Sequence, residues 1–201
     1  MNDRFRVTGL LASRLEELQV PLPAVLQHAG LAPGFFRQEK IFVSTSELFA
    51  LWRAIREISG DPGIGLKLGA EARMERYDPA SIAALHSRSF RDALQRMARY
   101  KQLTCPEKIR TLVEHGECVV EFQWLLAQNA EPSVLVDLCL SWILSIGRRR
   151  HRHSLHALAG GTDAPGLRRS NCSKATTGRG SNSTPRAMRS CSGPVISTAR
   201  L

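Results

Sequence analysis

Residues 44–69, STSELFALWRAIREISGDPGIGLKLG, leave the chain few conformational alternatives. Ser44 and Glu47 stand at capping-box spacing, with Ser46 as an alternative N-cap. Leu48, Leu51, Trp52, Ile55 and Ile58 recur at steps of three and four, which places them on one helical face. Arg53, Arg56 and Glu57 fall on the opposite face. Gly60 follows the last periodic residue, where glycine takes positive φ without a Cβ clash. Asp61-Pro62 then reads as the start of a second short helix, with Asp as N-cap and Pro at the first helical position. The stretch builds a core and contains no catalytic group.

The flanking segments also read as helices. Thr8 is expected to cap a helix running to about Leu18, with Leu10, Leu11, Leu15 and Leu18 as its apolar stripe. Pro23 suits the first turn of a short helix ending before Gly30. Residues 31–43 form a connector whose Phe35, Phe36 and Phe42 are expected to be core plugs rather than an aromatic binding surface. Tyr77-Asp78-Pro79 makes a turn into a short helix around Ala80–His86. Ser89 with Asp92 caps a helix from Phe90 to about Leu103, burying Phe90, Leu94, Met97 and the stem of Lys101. Arg91, Arg96 and Arg99 give that helix a basic outer face, read as solvated rather than phosphate-binding.

The period then changes from 3.6 to 2. Ile109, Thr111 and Val113 alternate with Lys108, Arg110, Leu112 and Glu114. Beyond His115-Gly116, Cys118, Val120, Phe122, Trp124 and Leu126 alternate with Val119, Glu121, Gln123 and Leu125. The two runs predict an antiparallel hairpin, which must pack on helices or join a larger sheet because two strands alone are marginal. Pro132 starts a last helix through Ile146, apolar nearly all round, with Asp137, Ser141 and Ser145 at i, i+4 and i+8. It is too short for the roughly 20 residues that span a bilayer. Asp137 is expected as an internal hydrogen-bond partner, with a ligand contact as the alternative.

Composition breaks at Gly147. The net charge of +10 suggests a nucleic-acid binder, but residues 1–147 hold 17 basic and 17 acidic residues. Residues 148–201 hold 11 basic residues and one acid, Asp163. All 12 aromatic residues precede residue 148. The last 54 residues contain six Leu, Ile, Val or Phe in all, below the roughly 20 % at which charged chains stay disordered. The expected organisation is a folded domain over 1–147 and a basic, disordered tail over 148–201.

Catalytic and metal motifs are missing. No GxSxG, HExxH, Walker A or EF-hand pattern occurs. Gly63-Ile64-Gly65 lacks the preceding strand and third glycine of a dinucleotide loop. His151, His153 and His156 have no Cys or acid partners in a folded frame, so a metal site there is disfavoured. A catalytic pair of Cys105 or Cys118 with His28, His86 or His115 can be drawn, but no spacing supports it. Five cysteines without a CxxC pair argue against a disulfide framework and a zinc ribbon, and fit reduced thiols in a cytoplasmic protein. The N-terminus lacks the long apolar core of a secretory signal. The chain is therefore not expected to be an enzyme or to need a cofactor or metal. The tail's arginines suit salt-sensitive, nonspecific binding to nucleic acid or acidic lipid, without aromatics to stack on bases.

From about Leu10 to Ile146 the chain resembles the N-terminal, arabinose-binding-like domain of AraC-type transcriptional regulators. The segments that carry the resemblance are LPAVLQHAGL (22–31), VSTSELFALWRAI (43–55), SGDPGIGLKLG (59–69) and SFRDALQRMARYKQL (89–103). The resemblance implies an α+β, mostly helical domain that senses a small-molecule effector and dimerises to control an attached DNA-binding domain. It does not imply arabinose, and it carries over no ligand residues. Family members continue into further strands and two helix-turn-helix units, which residues 148–201 do not resemble. The switch to Arg, Ser, Gly and Pro is what out-of-frame translation of a GC-rich gene would give. The expectation is a truncated regulator, unable to bind DNA specifically, with a hetero-dimer formed with an intact relative as the competing role. Unpaired hairpin edges would make such a fragment poorly soluble.

Overall fold

The computed structural model describes residues 3–70, 79–114 and 117–150. Its elements run β1 (Phe5–Val7), α1 (Leu10–Glu17), α2 (Leu22–His28), β2 (Ile41–Val43), α3 (Thr45–Ser59), α4 (Ile64–Gly69), α5 (Pro79–Leu85), α6 (Phe90–Thr104), β3 (Glu107–Glu114), β4 (Glu117–Trp124) and α7 (Ser133–Arg150). The fold is α+β and mainly helical, with two separate antiparallel strand pairs, β1–β2 and β3–β4.

The capping box forms as its spacing requires. Ser44 Oγ accepts from the Glu47 amide, and Glu47 Oε2 accepts from the Ser44 amide at 2.8 Å. The Ser44 amide, and after it the Ser44 hydroxyl donating to Glu47 Oε2 at 2.9 Å, hold the Glu47 carboxyl below its ordinary value. α3 buries Leu48, Phe49, Leu51, Trp52, Ala54 and Ile55, while Ile58 is half-buried, and Gly60 closes the helix at φ 63°. Asp61 does not start α4. Its Oδ1 accepts from the Gly63 amide at 2.8 Å, an Asx turn that delays the helix to Ile64. Lys67 pairs with Asp61 at 2.6 Å and, ahead of the Gly63 bond, lowers the Asp61 carboxyl.

α7 is the centre of the domain, packed by α3, α4, α5 and α6. Val134, Leu135, Val136, Cys139, Leu140, Ile143, Leu144 and Ile146 are all buried, which is why the helix reads as apolar nearly all round. The helix continues past Ile146 to Arg150. Its polar line meets α4. Ser141 Oγ donates to the Leu66 carbonyl at 2.8 Å, and Ser145 Oγ reaches the Gly69 carbonyl at 3.4 Å. Gly65 and Gly69 face this line so closely that added Cβ atoms would lie 2.3 Å from the carbonyl oxygens of Val134 and Leu138. Two glycines one helical turn apart therefore let α4 and α7 touch backbone to backbone.

The hairpin register pairs Ile109 with Phe122, Thr111 with Val120 and Glu107 with Trp124, so these residues share one face. β3 packs on α6, and Trp124 meets Phe49 of α3 edge-on at 5.9 Å. Leu125 and Leu126 lie beyond the strand and are exposed, because β4 ends at Trp124. Ser89 Oγ caps α6 through the Asp92 amide, but the Asp92 carboxylate accepts from the Arg88 amide and so is held low by it. No capping box closes there.

Further expectations are corrected. Thr8 bonds the Leu10 amide from outside α1, whose N-cap is Gly9. Leu10 is 39 % exposed, so the stripe of α1 rests on Leu11 and Leu15 with Leu18 half-buried. Residues 41–43 are not a plain connector. They pair with residues 5–7 as Phe5↔Val43, Arg6↔Phe42 and Val7↔Ile41. That pairing turns Phe42 outward at 43 % exposure, while Phe35 alone of the three connector phenylalanines is fully buried. The Tyr77-Asp78 turn, the His115-Gly116 turn and the tail from residue 151 onward lie outside the described residues.

Candidate functional site

The corner between α6 and β3 places two opposite charges inside the domain. Lys101 lies one turn beyond Met97 on the buried face of α6. The helix ends with the Cys105 amide bonded to the Lys101 carbonyl, and Cys105 adopts extended backbone at φ −154°. Pro106 follows, and the strand begins at Glu107, on the same face as buried Ile109. The two side chains meet across this corner: Lys101 Nζ donates to Glu107 Oε2 at 3.0 Å. Glu107 is 2 % exposed. Its second oxygen, Oε1, is buried with no hydrogen-bond partner among the described residues.

The surroundings tune the groups. Burial alone would push the Lys101 ammonium down, but the Glu107 carboxylate beside it outweighs that and holds it above the ordinary lysine value. Lys101 also sits over the Trp142 ring at 5.6 Å, a cation–π contact. Burial raises the Cys139 thiol, and Glu107 raises it further. Burial likewise raises Cys105, whose Sγ lies 3.4 Å from the Lys101 carbonyl and 3.8 Å from Glu107 Oε2. Both are buried, free thiols with a disfavoured thiolate, the opposite of an activated nucleophile.

The ion pair borders a cavity of about 290 Å³. Phe5, Val7 and Leu11 close one side, Leu48, Leu51 and Trp52 of α3 another, and Leu135, Leu138, Cys139 and Trp142 of α7 a third. Trp124 of the hairpin and Leu68 and Gly69 of α4 complete the apolar lining, with Arg6, Arg14 and Ser81 among its polar members. Trp142 is fixed by its Nε1 donating to Ser81 Oγ at 2.9 Å. Arg14 bonds Glu17 at 2.8 Å and the Lys67 carbonyl at 3.2 Å. An apolar cavity with a few convergent polar groups is the usual form of a small-molecule site.

The residues weighed from sequence fall elsewhere. His28 pairs with Glu57 at 2.6 Å, and His86 Nδ1 bonds the Ile82 carbonyl at 2.9 Å, so neither meets Cys105. The side chain of Cys118 and the whole of His115, His151, His153 and His156 lie outside the described residues. Among the described residues no group of three or more His, Cys, Asp or Glu is placed to hold a metal ion. Arg91, Arg96 and Arg99 are exposed, with Arg96 on Asp92 at 3.4 Å. Asp137 is buried in α7 beside Gly65 and is not a member of the cavity wall. Glu107 escaped the sequence reading. Its parity with Ile109 was the available signal, an acid on the buried face of an alternating strand.

Among the described residues no helix is long and apolar enough to cross a membrane. A comparison with curated protein sequences finds no match. The family model for the arabinose-binding domain of AraC transcription regulators, N-terminal, matches residues 20–159, which take in α2 to α7 and the Lys101–Glu107 corner, and the chain belongs to that family.

Proposed function

We propose that this chain is the effector-sensing and dimerising part of a transcriptional regulator, a binding module rather than an enzyme. Its small-molecule effector occupies the cavity beside Lys101 and Glu107. One observation carries this: all three tryptophans of the chain, Trp52, Trp124 and Trp142, wall a single cavity that also holds a buried ion pair. The α7 wall of that cavity belongs to the helix on which α3 to α6 pack, so occupancy has a mechanical route to the rest of the domain. Residues 148–201 show no recognition-helix pattern, so specific DNA binding is not expected of these residues. Action through a dimer, in the cytoplasm, completes the proposal.

The test is a tryptophan-fluorescence titration of the whole chain with a small-molecule collection, beside Leu138→Trp, which fills the cavity. A saturable emission change that Leu138→Trp abolishes supports the assignment. No change with any compound, or a change that survives the filled cavity, refutes it. Tight, sequence-dependent retention in a mobility-shift assay would refute the expectation about DNA.

A further inference from the structure

The Lys101–Glu107 pair leaves two hydrogen-bonding capacities of opposite sense side by side. Glu107 Oε1 is an acceptor without a partner among the described residues. Lys101 carries three N–H donors, one of which reaches Glu107 Oε2, and its side chain keeps 27 % of its surface. The pair is electrically neutral, so a charged ligand group placed there would face one like charge at close range. The complement is a neutral group that donates and accepts at once. The walls next to it are apolar and aromatic.

Resting on the assignment of this cavity as the effector site, we infer that the effector is a neutral amphiphile whose hydroxyl bridges the pair. The hydroxyl hydrogen bonds to Glu107 Oε1, its oxygen accepts from Lys101 Nζ, and the apolar remainder lies among Trp52, Trp124 and Trp142. A cavity of 290 Å³ is about twice the roughly 150 Å³ that holds benzene, which suits roughly a dozen non-hydrogen atoms. Oε1 is covered by its neighbours, so the hydroxyl reaches it only as the side chains around it shift. Arg6 and Arg14 also border the cavity, and a carboxylate ligand held by them is the competing chemistry.

The experiment compares four chains of matched length: 1-octanol, methyl heptyl ether, octanoate and octylammonium. Each is titrated against the full protein with tryptophan emission as the readout, since every tryptophan borders the cavity. The expected result is octanol binding about tenfold tighter than the ether, from one hydrogen bond to a charged partner. Octanoate and octylammonium bind more weakly than octanol. In Lys101→Met/Glu107→Leu, which removes both charges together and strands neither, the preference for octanol over the ether disappears while the ether still binds. Ether binding also reports that the variant has kept its cavity; should the variant not fold, the selectivity of the unaltered protein decides alone. An ether, octanoate or octylammonium that binds as well as octanol overturns the hydroxyl assignment and leaves the cavity as the effector site. No response to any of the four overturns both.

Discussion

Replacing Gly65 by alanine tests the backbone contact on which α4 and α7 depend. The new Cβ would lie 2.3 Å from the Val134 carbonyl oxygen, 3.1 Å from its carbonyl carbon and 2.9 Å from the Asp137 Cβ. The first of these atoms is backbone in the first turn of the domain's central helix, so it cannot swing aside as a side chain can. Reaching an ordinary contact means parting the two helices by about 1 Å in an interior packed to near-crystalline density. Forced overpacking of this kind costs about 1–3 kcal/mol. Parting the helices also stretches the 2.8 Å bond from Ser141 Oγ to the Leu66 carbonyl, about 1 kcal/mol more. Against this, alanine gains up to about 1 kcal/mol over glycine inside a helix. The net expectation is a loss of about 2 kcal/mol, or roughly thirtyfold in the folding equilibrium. Urea denaturation followed by circular dichroism measures it, and Gly34→Ala is the control because nothing lies within 4 Å of its Cβ position. An unchanged or raised midpoint for Gly65→Ala would mean that the helices do not meet at this residue, and the account of the seam would fall.

Ser44→Ala removes the capping hydroxyl of α3 and should cost about 1 kcal/mol by the same denaturation assay; no loss would show that Ser46 takes over. The folded chain holds the Lys101 proton more tightly than the unfolded chain does. That contribution is complete below the ordinary lysine value of 10.5 and is lost as pH rises beyond it, so melting temperature should fall above that pH. In Lys101→Met/Glu107→Leu this alkaline fall should shrink. Lys101→Met alone strands the Glu107 carboxylate and should destabilise by about 3 kcal/mol, the double change by much less; equal losses would show that the pair is not coupled. Cys105 and Cys139 should resist iodoacetamide until the protein unfolds, as mass spectrometry of the labelled peptides would show.

Much of the fold was legible because its signals are local. The α3 cap, its apolar face and its glycine stop involve neighbours within four residues, and each forms as its spacing requires. The α2 limits and the β3–β4 register follow from equally short-range patterns. The β1–β2 ribbon was not legible. It pairs two three-residue strands more than thirty residues apart, too short to show a period, and it decided the fate of Phe42. Asp61-Pro62 misled for a different reason. An aspartate that can cap a helix can also close an Asx turn, and the local sequence does not rank the two when proline follows.

The site was harder to read than the fold because neither half of the ion pair looks unusual in its own element. Lys101 on α6 resembles any lysine with a buried stem, and Glu107 stands at the mouth of a strand, where charge is common. They become a site through the Cys105-Pro106 corner, which folds six residues of separation into a 3.0 Å contact. The glycines of α4 add the last condition. Gly69 borders the cavity and also lies against α7 at the Leu138 carbonyl, one residue from Cys139, which lines the same cavity. A side chain at residue 69 would push α4 and α7 apart and widen the space the effector is proposed to fill. The GIGLKLG segment, which lies within the family match, thus sets how closely the cavity walls approach, so Gly69→Ala should weaken ligand binding as well as stability. A stability loss with ligand affinity unchanged would separate the two roles and confine the glycine to the fold.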